Sequence, residues 1–479
     1  MVKSNSLLTG LLSALLFCLP AYSAENWQRT YGGANTDYGW SVKPTPDGCY
    51  IVAGATKSFG AGGYDYYLLK LDSAGDTLWT KTYGGTSDDL AYSVDITDDG
   101  GYVVAGWTKS FGETSGAIYI VKTNAVGDTQ WTRKYTNNYA GYPPIQGWTI
   151  FQTMDKGYFI SSASSGLDFL VIKTDSLGDS LWSKTYGTVA NTERSLASQS
   201  TLDEGYIIGG YQRPYVNNEA PYLVKINAMG DTIWTKLYRW PINDDCSSIR
   251  QTADSGYIIA GATYSFGAGM CDGYMMKLNA NGDSIWMKTY GGPSDDWPAY
   301  VQLAPDGGYI LAGGTISYAV GGVDIYLIKT DSMGDTIWTR TFGGELDEDC
   351  SSVQPTPDGG YVIAGLTTTW GAGGRDVFIV KTDAAGLVGV AEDPPVKYSL
   401  PETKITACPN PFTKYTSIPG YEKEFFAVYD IMGRLVGTCQ GNQVGKELTA
   451  GVYFISSLPG QSNSRIRGSK SGKIIKLSN

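Results

Sequence analysis

The sequence predicts an all-β protein: a seven-bladed β-propeller of four-stranded repeats of about 52 residues, followed by a small C-terminal β-sandwich. The phrase GDTLWTKTYGG, residues 75–85, recurs in close copies along the chain. Its tryptophan returns at steps of 51 or 52 residues, and each step holds four short runs typical of β-strands. A period of this length indicates an architecture in which each repeat buries its apolar face against its neighbours.

The four runs of one repeat follow Trp79 and read AYSVDIT, GYVVAGWT, AIYIVKTN and TQWTRKY. They are rich in Val, Ile, Tyr and Thr and are bounded by Gly and Asp turns, so they predict four antiparallel strands, which make one propeller blade. The last repeat, ending near Gly386, lacks its fourth strand, whereas residues 24–31 precede the first blade. We therefore predict that NWQRTY completes the seventh blade, closes the ring and covers a sheet edge.

The repeated tryptophans are predicted to hold neighbouring blades together, since each one can bury about 150–250 Å². They are Trp27, Trp79, Trp131, Trp182, Trp234, Trp286 and Trp338. Seven lysines share a second repeated position, just before the turns that begin at Asp72 and its equivalents, and we expect them to pair with turn carboxylates at the blade edge. They are Lys70, Lys122, Lys173, Lys225, Lys277, Lys329 and Lys381.

Composition excludes several classes of function. The formal net charge of −11 disfavours a nucleic-acid partner, because the chain would repel phosphates. The chain contains no histidine, which excludes Ser-His-Asp and Cys-His catalysis and His-ligated metals and leaves carboxylates, Tyr and Lys as acid-base groups. No catalytic residue is assigned from the sequence.

Residues 1–23 are predicted to be a secretory signal peptide. A lysine at position 3 precedes an apolar run from Leu7 to Leu19, then Pro20 and small residues. The run is too short for a stable membrane span, and no other segment is apolar enough to cross a bilayer. The propeller is predicted to occupy residues 24–388.

Seven internal copies separate blade residues from site residues. A feature present in every blade serves the blade, whereas a site for one asymmetric ligand should break the repeat. The loops after YGG carry acidic residues that we expect near the mouth of the central channel, where they could bind calcium, a cation that prefers several oxygen ligands. The alternative is that these carboxylates stabilise turns. The candidate calcium ligands are Asp37, Asp89, Asp244, Asp296 and Asp349.

The repeat is broken mainly in the third to fifth units, by the loops YTNNYAGYPPIQGW, YQRPYVNNEAP and YRWPINDDC. These loops gather aromatic residues and a cation on one face of adjacent blades, a combination suited to a saccharide or a peptide. Loop variation without function is the alternative. The candidate ligand-binding residues are Tyr139, Tyr142, Trp148, Tyr211, Arg213, Tyr215 and Trp240.

The composition changes after the propeller. Residues 389–405 are rich in Pro and polar residues and are predicted to be a linker. Residues 406–479 contain ACPNPF, VYDIMGRLV, AGVYFI and KIIKL in this order. Together these motifs resemble the C-terminal sorting domain of type IX secretion cargo, a resemblance that implies the outer-membrane secretion machinery as a partner. The repeats are similar to DGGYIVAG-type propellers of exported bacterial proteins. Cys408 and Cys439 are predicted either to form a disulfide or to remain buried thiols.

These observations favour a secreted or cell-surface propeller that acts as a binding module for a glycan or a protein. A carboxylate-dependent glycosidase or lyase, or a purely architectural surface protein, are the alternatives. Whether the protein is an enzyme stays open, because the fold alone does not decide function.

Overall fold

The structure, a computed structural model, describes residues 26–112, 116–136, 149–163, 168–188, 191–214, 218–389, 417–418, 425–429, 435–444, 446, 448–457 and 471–476. Every regular element in these ranges is a β-strand, and none of the described residues forms a helix able to cross a membrane. The chain divides into two compact units, residues 1–394 and 395–479. The predicted signal peptide lies outside the described residues.

Seven sheets of four antiparallel strands form the first unit, which confirms the predicted seven-bladed propeller. The first strands are Asp37–Pro44, Asp89–Ile96, Thr149–Gln152, Asn191–Ser200, Ser248–Gln251, Asp296–Leu303 and Glu348–Pro355. The second strands are Tyr50–Thr56, Tyr102–Thr108, Tyr158–Ala163, Tyr206–Pro214, Tyr257–Thr263, Tyr309–Thr315 and Tyr361–Thr367. The third strands are Asp65–Leu71, Ala117–Thr123, Phe169–Thr174, Ala220–Ile226, Asp272–Leu278, Asp324–Thr330 and Asp376–Thr382. The fourth strands are Thr77–Tyr83, Thr129–Tyr135, Ser180–Tyr186, Thr232–Leu237, Ser284–Tyr290, Thr336–Phe342 and, in the seventh blade, Trp27–Tyr31.

The ring is closed by the first strand of the chain. Strand Trp27–Tyr31 pairs antiparallel with Asp376–Thr382, with Trp27 opposite Lys381 and Tyr31 opposite Val377. The seventh blade is therefore built from both ends of the propeller, as predicted, and its third strand does not present an open edge.

The repeated tryptophans pack across blade boundaries. Trp27 is 4% exposed, donates from Nε1 to the carbonyl of Ser73 at 3.0 Å, and meets the ring of Tyr50 edge-on at 6.0 Å. Gly75, with φ of 82°, lies against the same ring, and a Cβ there would come within 2.8 Å of it. Five later tryptophans meet the corresponding tyrosine of the next blade in the pairs Trp79–Tyr102, Trp131–Tyr158, Trp234–Tyr257, Trp286–Tyr309 and Trp338–Tyr361.

The seven repeated lysines are between 1% and 9% exposed and each pairs with one carboxylate at 2.7–3.0 Å. The partners lie in the turn between the first and second strands, namely Asp47, Asp99, Asp155, Asp203, Asp254, Asp306 and Asp358. Asp72, in the turn directly after Lys70, instead accepts from the amides of Ala74 and Asp76 in its own turn. The buried lysine stands just before one turn of its blade and pairs with a carboxylate in another turn, so it holds the two turns together.

The second unit contains a four-stranded antiparallel sheet, in the order Leu435–Gln440, Phe425–Tyr429, Gly451–Ser457 and Ser471–Lys476. Phe426, Val428 and Ile455 are among its buried residues. The described residues hold this one sheet, so the predicted sandwich stays a prediction. Cys408 lies outside the described residues, and the disulfide with Cys439 stays a prediction too.

Candidate functional site

The first strands of all seven blades surround a cavity of about 1310 Å³. This volume exceeds the roughly 300–1,000 Å³ of small-molecule pockets. Since the first strands lie next to one another around the ring, one ligand in this central channel could contact several blades at once. The channel is therefore the candidate functional site of the described residues.

A shift of register places a residue of the first strand at the channel in five blades; it skips one residue in four of them and both Pro298 and Ala299 in the sixth blade. In the first blade the register shifts between Gly39 and Ser41, which leaves Trp40 as the extra residue of a β-bulge. The bulge is a device that redirects a side chain and strengthens local twist. The bulge residues that line the channel are Trp40, Tyr92, Leu196, Ala299 and Ser351.

Four aromatic side chains from the first two blades form what we call the aromatic wall: Tyr38, Trp40, Tyr64 and Tyr92. The rings of Tyr38 and Trp40 are stacked, with centroids 5.0 Å apart and an interplanar angle of 13°. Trp40 also lies 4.8 Å from Tyr92, and Tyr38 lies 5.9 Å from Tyr64. All four residues are partly exposed and line the cavity.

Two carboxylates from the fifth and seventh blades, Asp245 and Asp349, line the same cavity, and we call them the channel carboxylates. Asp245 accepts from Ser247 Oγ at 2.8 Å and from the amide of Ala262 at 3.2 Å. Asp349 accepts from Trp297 Nε1 at 3.2 Å and from the amide of Cys350 at 2.8 Å.

Protein atoms enclose both channel carboxylates, while part of their surface stays open to the channel. This burial raises the pKa of Asp245 to about 6, and it raises the pKa of Asp349. Burial, with Asp349 and Asp245 nearby, also raises the pKa of the Tyr300 hydroxyl, which keeps it protonated at neutral pH. The channel therefore offers two weakly acidic carboxyl groups and a neutral hydroxyl donor to a ligand.

The candidate calcium ligands fall into two sets. Asp37, Asp89, Asp244 and Asp296 are 0–2% exposed, and their equivalent in the seventh blade is Glu348. Each of the four accepts hydrogen bonds from a Thr at the end of the second strand and from a Ser two residues later, such as Thr56 and Ser58 for Asp37. Asp349 follows Glu348 and lines the channel instead, so the structure does not gather the five into one cluster.

A second repeated carboxylate faces this first set across the blade boundary. Asp272 and Asp296 both lie against Gly291, where a Cβ would overlap the Asp272 carboxylate. Oδ1 of Asp272 is buried without a hydrogen-bond partner among the described residues, and so is Oδ1 of Asp324, which faces Glu348 at Gly343. Equivalent pairs are Asp65–Asp89, Asp168–Glu193 and Asp376–Asp37.

Burial raises the pKa of the carboxyl group at or just before the start of the third strand in each of these pairs, in the case of Asp376 to about 6. The other four groups are Asp65, Asp168, Asp272 and Asp324. A carboxyl group with a raised pKa is protonated to a higher pH, which lessens the repulsion between the two facing acids. No group of three or more Cys, Asp or Glu residues able to hold a metal occurs in the described part of the chain. Calcium binding stays a prediction.

The predicted loop patch is only partly described. Tyr139, Tyr142, Trp148 and Tyr215 lie outside the described residues. Tyr211 is 8% exposed and lines the channel. Arg213 is exposed, with Nη1 3.8 Å from Glu219, and Trp240 packs edge-on against Phe266 and Tyr274. Of these three residues, the structure places only Tyr211 at the channel, so the loop patch stays a prediction.

The aromatic wall and Asp245 were not among the candidates chosen from the loops, and Asp349 was a candidate only as a calcium ligand. Two variable positions of the first strands nevertheless mark residues of the aromatic wall and both channel carboxylates in the sequence. Aligned on the buried acid, the next residue is Tyr38, Leu90, Arg194, Asp245, Trp297 or Asp349 in the six blades where it is described. The third residue after it is Trp40, Tyr92, Leu196, Ser247, Ala299 or Ser351. Both positions vary, whereas the acid before them is Asp or Glu in all six blades, and both line the channel.

No protein-family model matches the chain, and no curated protein does. Similar solved structures include a protein of unknown function from Bacteroides caccae, with 12% identity and a TM-score of 0.35 over 59% of this chain and 92% of that one. They also include an α-L-arabinanase from Penicillium chrysogenum in complex with arabinobiose, with 10% identity and a TM-score of 0.42 over 61% and 92%. Sqt1 from Chaetomium thermophilum shows 12% identity and a TM-score of 0.42 over 71% and 83%. These similarities are too low to carry an argument about activity.

Proposed function

We propose that this protein is a secreted or cell-surface β-propeller that binds a glycan in its central channel. The observation that carries the proposal is the contrast within the first strands, where the buried acid repeats but the residues one and three positions after it, which line the channel, do not. Repeated residues serve every blade equally, so the variable ones are those that an asymmetric ligand would require.

The chemistry of the channel favours a saccharide over a peptide. The aromatic wall offers flat faces for stacking on sugar rings, and the channel carboxylates and Tyr300 lie among the residues that line the same cavity. Stacking supplies contact area, while carboxylates and hydroxyls fix direction by hydrogen bonding to sugar hydroxyls. A protein ligand is the competing outcome of the test.

Calorimetric titration with a panel of neutral and acidic oligosaccharides tests the proposal. Trp40→Ala should weaken binding at least tenfold, because it removes the central ring of the aromatic wall. Phe59→Ala is the matched control, since Phe59 is an exposed aromatic of the same blade that packs on Tyr67 outside the channel. Absence of binding to every oligosaccharide, or equal affinity for the wild type and Trp40→Ala, would contradict the proposal.

Asp245 and Asp349 favour a second candidate function, that of a carboxylate-dependent glycosidase or lyase. A paired acid and base can cleave glycosidic bonds, and a carboxyl group with a pKa of about 6 is suited to general acid catalysis near neutral pH. The position after the buried acid is a carboxylate in these two of the six described blades and in none of the other four, as expected of catalytic residues. Mass spectrometry of incubated oligosaccharides should then reveal products that disappear with Asp245→Asn; their absence with all substrates would leave only the binding function.

Export rests on the sequence motifs. The predicted signal peptide and the four C-terminal motifs support passage through the cell envelope, with the outer-membrane secretion machinery as a partner. Intact masses of the protein from medium, cell surface and periplasm test this part. A surface or medium species that starts near residue 24 and ends within residues 389–405 is expected; full-length protein confined to the periplasm would contradict it.

A further inference from the structure

Arg250 is a channel residue that the proposed function has not used. It belongs to the first strand of the fifth blade, five residues after Asp245, which corresponds to about 16 Å of extended chain. Its guanidinium is fixed by two neutral acceptors: Nε donates to Gln302 Oε1 at 2.7 Å, and Nη1 donates to the carbonyl of Ile249 at 2.6 Å. No ion pair joins it to a carboxylate of the described residues.

The equivalent position in the first two blades shows how another channel cation is compensated. Lys43 of the first blade and Asp95 of the second occupy this position, and they form an ion pair at 3.4 Å. In the fourth, sixth and seventh blades the position holds Gln199, Gln302 and Gln354. Arg250 is therefore flanked by amides and lacks the counter-charge that Lys43 has.

Burial alone lowers the pKa of Arg250, to about 10, so the group remains a cation at neutral pH. A charge removed from water without a counter-charge is costly, and Arg250 is partly exposed to the channel, where an anion could compensate it. The five donors of a guanidinium suit planar anions such as carboxylate, and two of its hydrogen bonds to neutral groups hold it in one orientation.

The charge of the channel differs in sign from that of the chain. Its lining includes four cations, Lys43, Arg194, Arg250 and Arg375, and three carboxylates, Asp95, Asp245 and Asp349. The complete chain carries a formal charge of −11. A slight excess of cations inside an acidic protein favours an anionic group in the channel over one elsewhere on the molecule.

We propose that Arg250 binds the anionic group of an acidic saccharide, a carboxylate or a sulfate, whose sugar rings lie in the same channel as the aromatic wall. This inference rests on the proposed glycan-binding function and names its ligand class. The amide side chains beside Arg250 add neutral donors and acceptors for the adjoining hydroxyls.

Titration of the full chain with three probes of equal length tests the inference: oligogalacturonate, its methyl ester and a sulfated galactan oligosaccharide. At least one acidic probe should bind tenfold or more tightly than the neutral ester, with an affinity that falls as salt rises. The carboxylate and sulfate arms identify which anion is bound. Arg250→Gln should remove the preference for the acidic probe, and Arg250→Lys should restore part of it.

Arg133→Gln is the matched control, because Arg133 pairs with Asp179 on an outer strand, and it should leave the preference intact. If Arg250→Gln fails to fold, the comparison of acid and ester on the wild type with Arg250→Lys still decides the matter. Equal binding of acid and ester, lost with Trp40→Ala, would overturn the role of Arg250 and keep the proposed function. No binding of any probe would overturn both.

Discussion

Two kinds of position on the same strand behave differently in this protein. Val42 faces the neighbouring blade, is fully buried, and has an apolar Val or Ile counterpart in five of the other six blades. Trp40, two residues before it, faces the channel, and its described counterparts range from Tyr92 to Ser351. The difference teaches that repetition marks what holds the ring together, whereas variation inside a repeated strand marks what meets a ligand.

Among the repeated residues that hold the ring together, we expect the tryptophan of the closing strand, Trp27, to contribute most to stability. Trp27→Ala removes a ring that packs on Tyr50 and Gly75, and we expect it to lower the free energy of unfolding by about 3–5 kcal/mol. Denaturant unfolding followed by circular dichroism measures the loss. The control is Leu78→Ala, an exposed residue of an outer strand, which should change stability by less than about 0.5 kcal/mol. Equal effects of the two variants would show that the repeated tryptophans do not hold the blades together.

The lysine-to-turn pairs should have an intermediate effect. Asp358→Asn leaves the ammonium group of Lys381, which is 1% exposed, without its carboxylate, and we expect a loss of about 2 kcal/mol. Asp98→Asn, which breaks the exposed pair with Lys156, should cost less than about 0.5 kcal/mol. Thermal unfolding of the two variants checks the order, and a larger loss for Asp98→Asn would reverse this account of the turns.

The carboxyl pairs between blades give a pH dependence of definite sign. Burial raises the pKa of Asp376 from 3.8 to about 6 in the folded protein, so its stabilising contribution is complete below about pH 4 and is lost as the pH rises through 6. Asn cannot ionise, so it never places a second negative charge beside Asp37. Between pH 5 and pH 8 the melting temperature should therefore fall less for Asp376→Asn than for the wild type.

Asp254 supplies the control of opposite sign. Hydrogen bonds from Lys277 and Thr252 lower its pKa to about 2, so its contribution is present above about pH 4 and is lost as the pH falls toward 2. Asp254→Asn should destabilise the protein at pH 7 and have little effect near pH 2. If both Asn variants follow the same pH dependence, the two kinds of carboxylate do not differ as described.

The repeat made most of the propeller predictable from the sequence. The spacing of Trp79 and its copies determined the number of blades, and the missing fourth strand of the last repeat predicted the pairing of Trp27–Tyr31 with Asp376–Thr382. Such patterns can be recognised in the sequence because each repeat makes the same contacts with its neighbours. The sequence did not identify the partner of Lys70, because the turns at Asp47 and at Asp72 both carry carboxylates. The fold brings Asp47 next to the lysine.

The channel was harder to foresee for a physical reason. Trp40 faces it because a bulge inserts one extra residue between Gly39 and Ser41, and such a register shift leaves no clear mark in a period-two pattern. Asp245 and Asp349 lie beside framework acids, so the sequence places both kinds in one acidic loop. Only their hydrogen bonds and their position at the cavity separate them.

The most direct test of the central claim compares the melting temperature of the wild type and Trp40→Ala with and without a saturating acidic oligosaccharide. A ligand bound to the folded state raises stability by mass action. Without ligand we predict a small drop in melting temperature for Trp40→Ala, which loses its contacts with Tyr38 and Tyr92. On adding the oligosaccharide we predict a clear rise for the wild type and little or no rise for Trp40→Ala. A variant that melts several degrees lower without ligand, yet still gains the full rise, would contradict the division between repeated framework and variable channel.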